Sequence, residues 1–203
     1  MNKSEVQLSR FIEERLTPGA DVSDIDRRIR SHFEEEWAVV FTDMAGLSRV
    51  RPAETIIHYL CLVHEMKRIT RPLIESSGGI IVKSITDSYL AIFKRPHDAL
   101  SALLQINRRL ATYNAEREEE QRIEIGAGLG FGKILKVGQE DVFGLEVNGA
   151  VRLGAEALAY DVLMTDSARA ALLHTPGIGF EERPATRSFR ATYDLRDAPN
   201  RSA

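Results

Sequence analysis

The sequence predicts an α+β or α/β domain with a mixed β-sheet, preceded by a helical extension. Short apolar runs alternate with longer stretches of helical periodicity in the order βαββαββαβ. Those helical stretches are long enough to cover a sheet face. No repeat of roughly 20–50 residues is visible, which sets aside solenoids and propellers.

Composition narrows the class. The 203 residues are 43% hydrophobic and 28% charged, the balance of a soluble globular protein. A net charge of -3 and a pI near 6.0 give no electrostatic footprint for nucleic acid or an anionic membrane. No apolar run approaches the roughly 18 residues that span a bilayer. The opening "MNKSEVQLSRFIEE" lacks the apolar segment of a secretion signal, so a cytoplasmic location is expected. The lone Cys61 excludes an internal disulfide framework. It sits in "HYLCLVHE" between His58 and His64, but on a helix those imidazoles lie about 120° apart. No familiar zinc spacing fits, so a packed thiol and two partly exposed imidazoles are expected.

Residues 1–36 read as two helical pieces, "SEVQLSRFIEERL" and "SDIDRRIRSHFEEE", separated by "TPGAD". Ser23 with Asp26 resembles a capping box, and Ile25, Ile29 and Phe33 form one narrow apolar stripe. Such a stripe packs on its own domain or serves as a dimerising or regulatory helix that meets a partner. "WAVVFTD" reads as a buried strand ending at Asp43, opening a domain that runs over 37–195. Over 52–75 the helical pattern puts Ile56, Tyr59, Leu60, Val63 and Met66 on one side, and "SSGG" stops it. "IIVKSI" and "SYLAIF" are strands joined by a tight hairpin at Ser84–Ser88. Pro96 opens the amphipathic helix "PHDALSALLQINRRLATYN". "RIEIGAGLGFG" and "KILKVG" read as two strands, "LEVNGAVRLGAEALAY" as a helix and "DVLMT" as a strand. A short helix at 166–173 precedes a pair of edge strands in "GFEERPATRSFRATYDL", and 196–203 reads as a disordered tail.

Four features bear on chemistry. Asp43 ends an apolar strand and Asp87 tips a hairpin, so adjacent strand ends would set two carboxylates side by side. A divalent cation removes their repulsion, and oxygen ligands with open positions for phosphate are how Mg²⁺ is held. For Asp87 alone, a turn carboxylate bonding its own backbone explains as much. Glycines at 126, 128, 130 and 132 lack the dinucleotide-binding spacing; they strip one strand face so that another element can approach. In "DVFGLEVNGAVRL", Asp141 precedes a helix on which Asn148 and Arg152 stand four apart on one face. Such a pair can hold a sugar oxygen and a phosphate, or simply form a solvated face.

Taken together, "VVFTDMAGLS", "GGIIVKSITDSYLAIF", "ALSALLQINRRL", "IEIGAGLGFGKI" and "DVFGLEVNGAVRLGAEA" resemble the class III nucleotidyl cyclase catalytic domain. The resemblance implies an α+β fold, with a ferredoxin-like βαββαβ core carrying added strands and helices. It also implies a head-to-tail homodimer with active sites in the interface. Asp43 and Asp87 match the two metal-binding aspartates, with two Mg²⁺ or Mn²⁺ ions per site. Lys83 and Asp141 match the pair that reads adenine, Asn148 the residue that orients ribose, and Arg152 the one that stabilises the transition state. By the same analogy Lys83 and Asp87 serve different active sites, because each site draws on both chains.

The implied activity is that of an adenylyl cyclase, converting ATP to 3′,5′-cyclic AMP and pyrophosphate. Alternatives are a guanylyl or pyrimidine nucleotide cyclase, a catalytically silent nucleotide-binding regulatory domain, or an unrelated metal-binding ferredoxin-like module. The complete residue set argues against the last two. Three departures from the family pattern stand out. Thr86 replaces the usual glycine before the second aspartate, so that turn must change shape or carry strain. Ser48 replaces a threonine, and the phosphate-contacting Lys-Gly loop is absent, with Arg187 or Arg190 in its place.

Overall fold

A computed structural model describes residues 2–45 and 56–195. Ser48 and the tail at 196–203 lie outside the described residues. The elements run α1 (Lys3–Leu16), α2 (Val22–Phe33), β1 (Glu34–Ala45), α3 (Ile56–Ser76), β2 (Ile80–Ile85), β3 (Ser88–Phe93), α4 (Pro96–Asn114), β4 (Glu124–Val137), β5 (Asp141–Phe143), α5 (Leu145–Glu156), β6 (Val162–Met164), α6 (Asp166–Leu172), β7 (Gly179–Arg183) and β8 (Ser188–Thr192). The strands follow the order β2-β3-β1-β4-β6-β8-β7, and β5 pairs with β4 off that path. The first four core strands are antiparallel neighbours, whereas β6 joins β4 in parallel. This is the α+β, ferredoxin-like βαββαβ core with added elements.

Alternation along β1 divides the interior. Ala38, Val40 and Met44 face a core filled by α3, α4 and α6, including Met66, Leu103, Ile106 and Leu172. Trp37 and Val39 face the opposite side, where Val147 and Ala150 of α5 pack with Leu90, Ile92 and Val142. A third cluster joins Phe11, Ile25, Ile29 and Phe33 of the N-terminal helices to Val137 at the end of β4. The stripe on α2 therefore packs against its own chain.

Several local expectations are corrected. The second helix stops at Phe33, and Glu34–Glu36 are the first residues of β1, paired with Lys133–Leu135 of β4. Asp21, not Ser23, caps α2 by accepting from the Asp24 N–H; the capping box belongs to Asn2 and Glu5 at the start of α1. The two strands expected over 122–138 are one, β4, because β1 is long enough to pair with most of its length. The short β5 was not expected. In the C-terminal hairpin only β7 is an edge; β8 lies between β6 and β7. On α3 the buried side is carried by Leu62, Val63, Met66 and Ile74, while Ile56, Leu60 and Cys61 are exposed. The thiol is thus not packed. His58 meets the Glu120 carbonyl, and no group of three or more potential metal-ligating side chains occurs among the described residues. No described helix is long and apolar enough to cross a membrane.

Candidate nucleotide and metal site

The glycine series on β4 seats α5. A Cβ at Gly128 would lie 2.0 Å from the Ala150 carbonyl oxygen, and one at Gly126 would lie 2.6 Å from Ala157. A Cβ at Gly130 would lie 2.5 Å from the Glu146 carbonyl oxygen. From the other side, a Cβ at Gly154 would lie 2.7 Å from Phe41. Helix and strand backbones can touch only because these side chains are missing. Packing is therefore the role of the glycines, and it fixes the helix that bears Asn148 and Arg152.

Asp43 lies near the end of β1 on the α5 side of the sheet, opposite Gly126. Asp87 occupies the two-residue β2–β3 turn and is buried. The Ser88 hydroxyl donates to Asp43 Oδ1 over 2.7 Å, so the residue after one aspartate holds the other. Burial pushes the Asp87 carboxyl above the usual aspartate range, and the nearby Asp43 charge adds to this. A backbone hydrogen bond, the Tyr59 hydroxyl and Lys67 oppose the rise. Tyr59 itself is raised, first by burial and then by Asp87 and Asp43. Two mutually repelling carboxylates with hard oxygen donors fit a divalent cation such as Mg²⁺ or Mn²⁺.

Thr86 has φ +45°, a conformation open to glycine and uncommon for a β-branched residue. The turn has kept a glycine-type shape and carries the strain in Thr86. Such local strain amounts to roughly 1–3 kcal/mol.

Lys83 and Asp141 come together from different parts of the chain. The Lys83 ammonium donates to Asp141 Oδ2 over 3.0 Å, and Asp141 Oδ1 accepts from the Val142 N–H, also over 3.0 Å. β5 makes this contact because Val142 packs in the same apolar cluster as Leu90 and Ile92 of β3. The short strand is thereby carried across the sheet face to β2. Asn148 and Arg152 are exposed on α5, and Arg152 pairs with Glu156 over 3.0 Å. No described hydrogen bond or ion pair links the Asp43–Asp87 pair, the Lys83–Asp141 pair and Arg152 to one another.

Of the residues offered in place of the missing phosphate loop, Arg190 pairs with Asp161 over 3.1 Å. Arg187 adopts φ +47° at the β7–β8 turn. Sequence reasoning missed Ser88 and Tyr59 as partners of the aspartates. Ser88 stood next to Asp87 in the quoted hairpin, but its cross-strand reach to Asp43 depends on register. Tyr59 read as part of an apolar stripe.

Comparison with known proteins adds an independent line. The family model for the adenylate and guanylate cyclase catalytic domain matches residues 29–190. The crystal structure of an adenylate/guanylate cyclase/hydrolase from Silicibacter pomeroyi is 26% identical, with a TM-score of 0.68, covering 78% of this chain and 95% of that one. The guanylate cyclase domain from Catenaria anguillulae, solved with GTP, is 16% identical with a TM-score of 0.64, covering 79% and 98%. The adenylyl cyclase CyaB from P. aeruginosa is 16% identical with a TM-score of 0.63, covering 81% and 97%. No curated protein sequence gives a significant match.

Proposed function

The chain belongs to the adenylate and guanylate cyclase catalytic domain family, and from that membership we propose an adenylyl cyclase acting as a homodimer on ATP. The observation that carries the reading is the Lys83–Asp141 contact at 3.0 Å. Adenine presents an acceptor at N1 beside a donor amine at N6. A lysine donor beside a carboxylate acceptor is complementary to that edge. Guanine presents a donor at N1 and an acceptor at O6, which leaves both protein groups mismatched.

The reaction closes the 3′-oxygen onto the α-phosphorus, breaks the bond to the bridging oxygen and releases pyrophosphate, with loss of the 3′-hydroxyl proton. Asp43 and Asp87 would hold Mg²⁺ or Mn²⁺, two ions per site. Such ions, when bound, lower the pKa of the 3′-hydroxyl and neutralise triphosphate charge. Asn148 orients the ribose so that the 3′-oxygen is held in line with the α-phosphorus. Arg152 opposes the charge that gathers on the phosphoryl oxygens and the leaving pyrophosphate, once it exchanges Glu156 for substrate.

In this proposal Lys83, Asp141, Asn148 and Arg152 of one protomer complete a site with Asp43 and Asp87 of the other. The expected extension of residues 1–36 shortens to the helices α1 and α2, which are proposed as the regulatory segment. What supports this is that the Asn2 amide donates to Glu140 over 3.0 Å, one residue before Asp141. The deciding experiment incubates the protein with each of the four NTPs and Mn²⁺ and identifies cyclic products by mass spectrometry. Cyclic AMP as the dominant product is expected; a dominant GTP or pyrimidine product overturns the base assignment, and no product overturns the enzyme.

A further inference from the structure

Pairing along β4 leaves a gap on the edge that faces away from β1. Ala127–Leu129 pair with β6 and Leu135–Val137 pair with β5. Between them, Gly130–Ile134 have no strand partner on that side among the described residues. The first turn of α5 covers the gap, and Glu146 closes it. One oxygen, Glu146 Oε2, accepts from the Phe131 backbone N–H over 3.0 Å and from the Thr165 hydroxyl over 2.7 Å. Thr165 is itself the N-cap of α6. The carboxylate can reach in because the sheet offers no Cβ there: one at Gly132 would lie 3.2 Å from Glu146 Cγ.

We infer that Glu146 is a positioning residue, which pins the first turn of α5 to β4 and to the β6–α6 junction so that Asn148 and Arg152 are held in working register. The inference deepens the proposed cyclase and rests on its assignment of those two residues. Glu146 stands two residues before Asn148 and six before Arg152 on one helix. A shift of its turn therefore moves both. Without an acceptor at this point the Phe131 N–H loses its partner, which disfavours the present seat of the helix. Both bonds end on the same oxygen and both donors are neutral. The site thus requires an acceptor of this length and shape, and a negative charge is not needed.

The test compares Glu146→Gln, Glu146→Ala and Thr165→Val in the full chain, using whichever nucleotide the wild type cyclises. The Gln variant keeps a carbonyl oxygen at the same reach, so kcat and KM should stay within about threefold of wild type. The Ala variant should lose kcat by about tenfold to a hundredfold, with KM changed far less, because the displaced residues act in the transition state. Thr165→Val removes one of the two bonds and should show a smaller loss of the same kind. Combining Glu146→Ala with Arg152→Ala should cost less than the product of the single losses, since one acts through the other. Amide exchange across 145–149 and at Phe131 should speed up in the Ala variant and return to wild-type rates in the Gln variant. Equal inactivity of the Gln and Ala variants overturns the inference, as do fully multiplicative losses or unchanged exchange. A wild type that cyclises no nucleotide overturns the functional reading instead, and the exchange rates then decide whether Glu146 pins the helix.

Discussion

Lys83 on β2 donates to Asp141 on β5 over 3.0 Å, across 58 residues of sequence. A donor and an acceptor held this close form a fixed pattern that a purine edge can match or fail to match. Mismatch leaves polar groups unsatisfied, so discrimination of hundreds-fold or more between ATP and GTP is expected. The measurement is kcat/KM for ATP, GTP, CTP and UTP. The double variant Lys83→Glu, Asp141→Cys should lose ATP turnover much more than GTP turnover. A wild type that prefers GTP or a pyrimidine removes these two residues from base reading.

Asp43 and Asp87 form one cluster through Ser88 and their mutual repulsion, while Lys83 belongs to another. If each active site takes one cluster from each protomer, Lys83→Ala and Asp43→Ala are both nearly inactive alone. Mixed equally with free subunit exchange, they should recover about a quarter of wild-type activity, because half the dimers carry one intact site of two. Asp43→Ala mixed with Asp87→Ala should show no rescue. Absence of recovery in the first mixture, with exchange demonstrated, rules out the shared site.

Both aspartates should be essential to turnover, and Asp87 is in addition unfavourable to the metal-free fold. Asp43→Ala and Asp87→Ala should abolish cyclisation with the fold intact, and a chelator should do the same to wild type. The raised Asp87 carboxyl binds its proton more tightly folded than unfolded. Stability therefore falls as pH climbs from the ordinary aspartate value, about 3.9, through the raised one. At neutral pH the ionised group thus opposes folding, and Asp87→Asn should raise the Tm of the metal-free protein. That gain should disappear in acid below both values. Added Mn²⁺ should lift the Tm of wild type more than that of the variant. Thermal melts at two pH values, with and without Mn²⁺, check all of this.

Thr86→Gly should relieve the strained β2–β3 turn. Glycine adopts φ +45° freely, so a gain of about 1 kcal/mol is expected, set against the greater freedom of glycine in the unfolded chain. Denaturant midpoints give the number. A loss of stability would mean that the surrounding contacts of Thr86 outweigh its backbone strain.

The core of the fold was legible because it rests on local pattern. The apolar runs in "WAVVFTD" and "SYLAIF", the periodicity of the Pro96–Asn114 helix and the "SSGG" stop are read by the chain itself. The candidate site residues were picked out through the resemblance of their motifs to the cyclase family, and Thr86 through the absence of the glycine that family carries. Tertiary structure alone decided what depends on register and on long-range packing. Nothing near Asp141 in sequence says that a three-residue strand will form there or that Lys83 will meet it; Val142 joining the Leu90–Ile92 cluster does that. The same holds for Ser88, which reaches Asp43 only because Tyr89 pairs with Thr42 on the neighbouring strand. It holds too for Glu146, whose acceptor is needed only because β5 and β6 stop short of each other along β4. Sequence determines which residues want burial, a turn or a helix, since those preferences are local. Which side chains finally face one another is set by how the finished sheet pairs and bends.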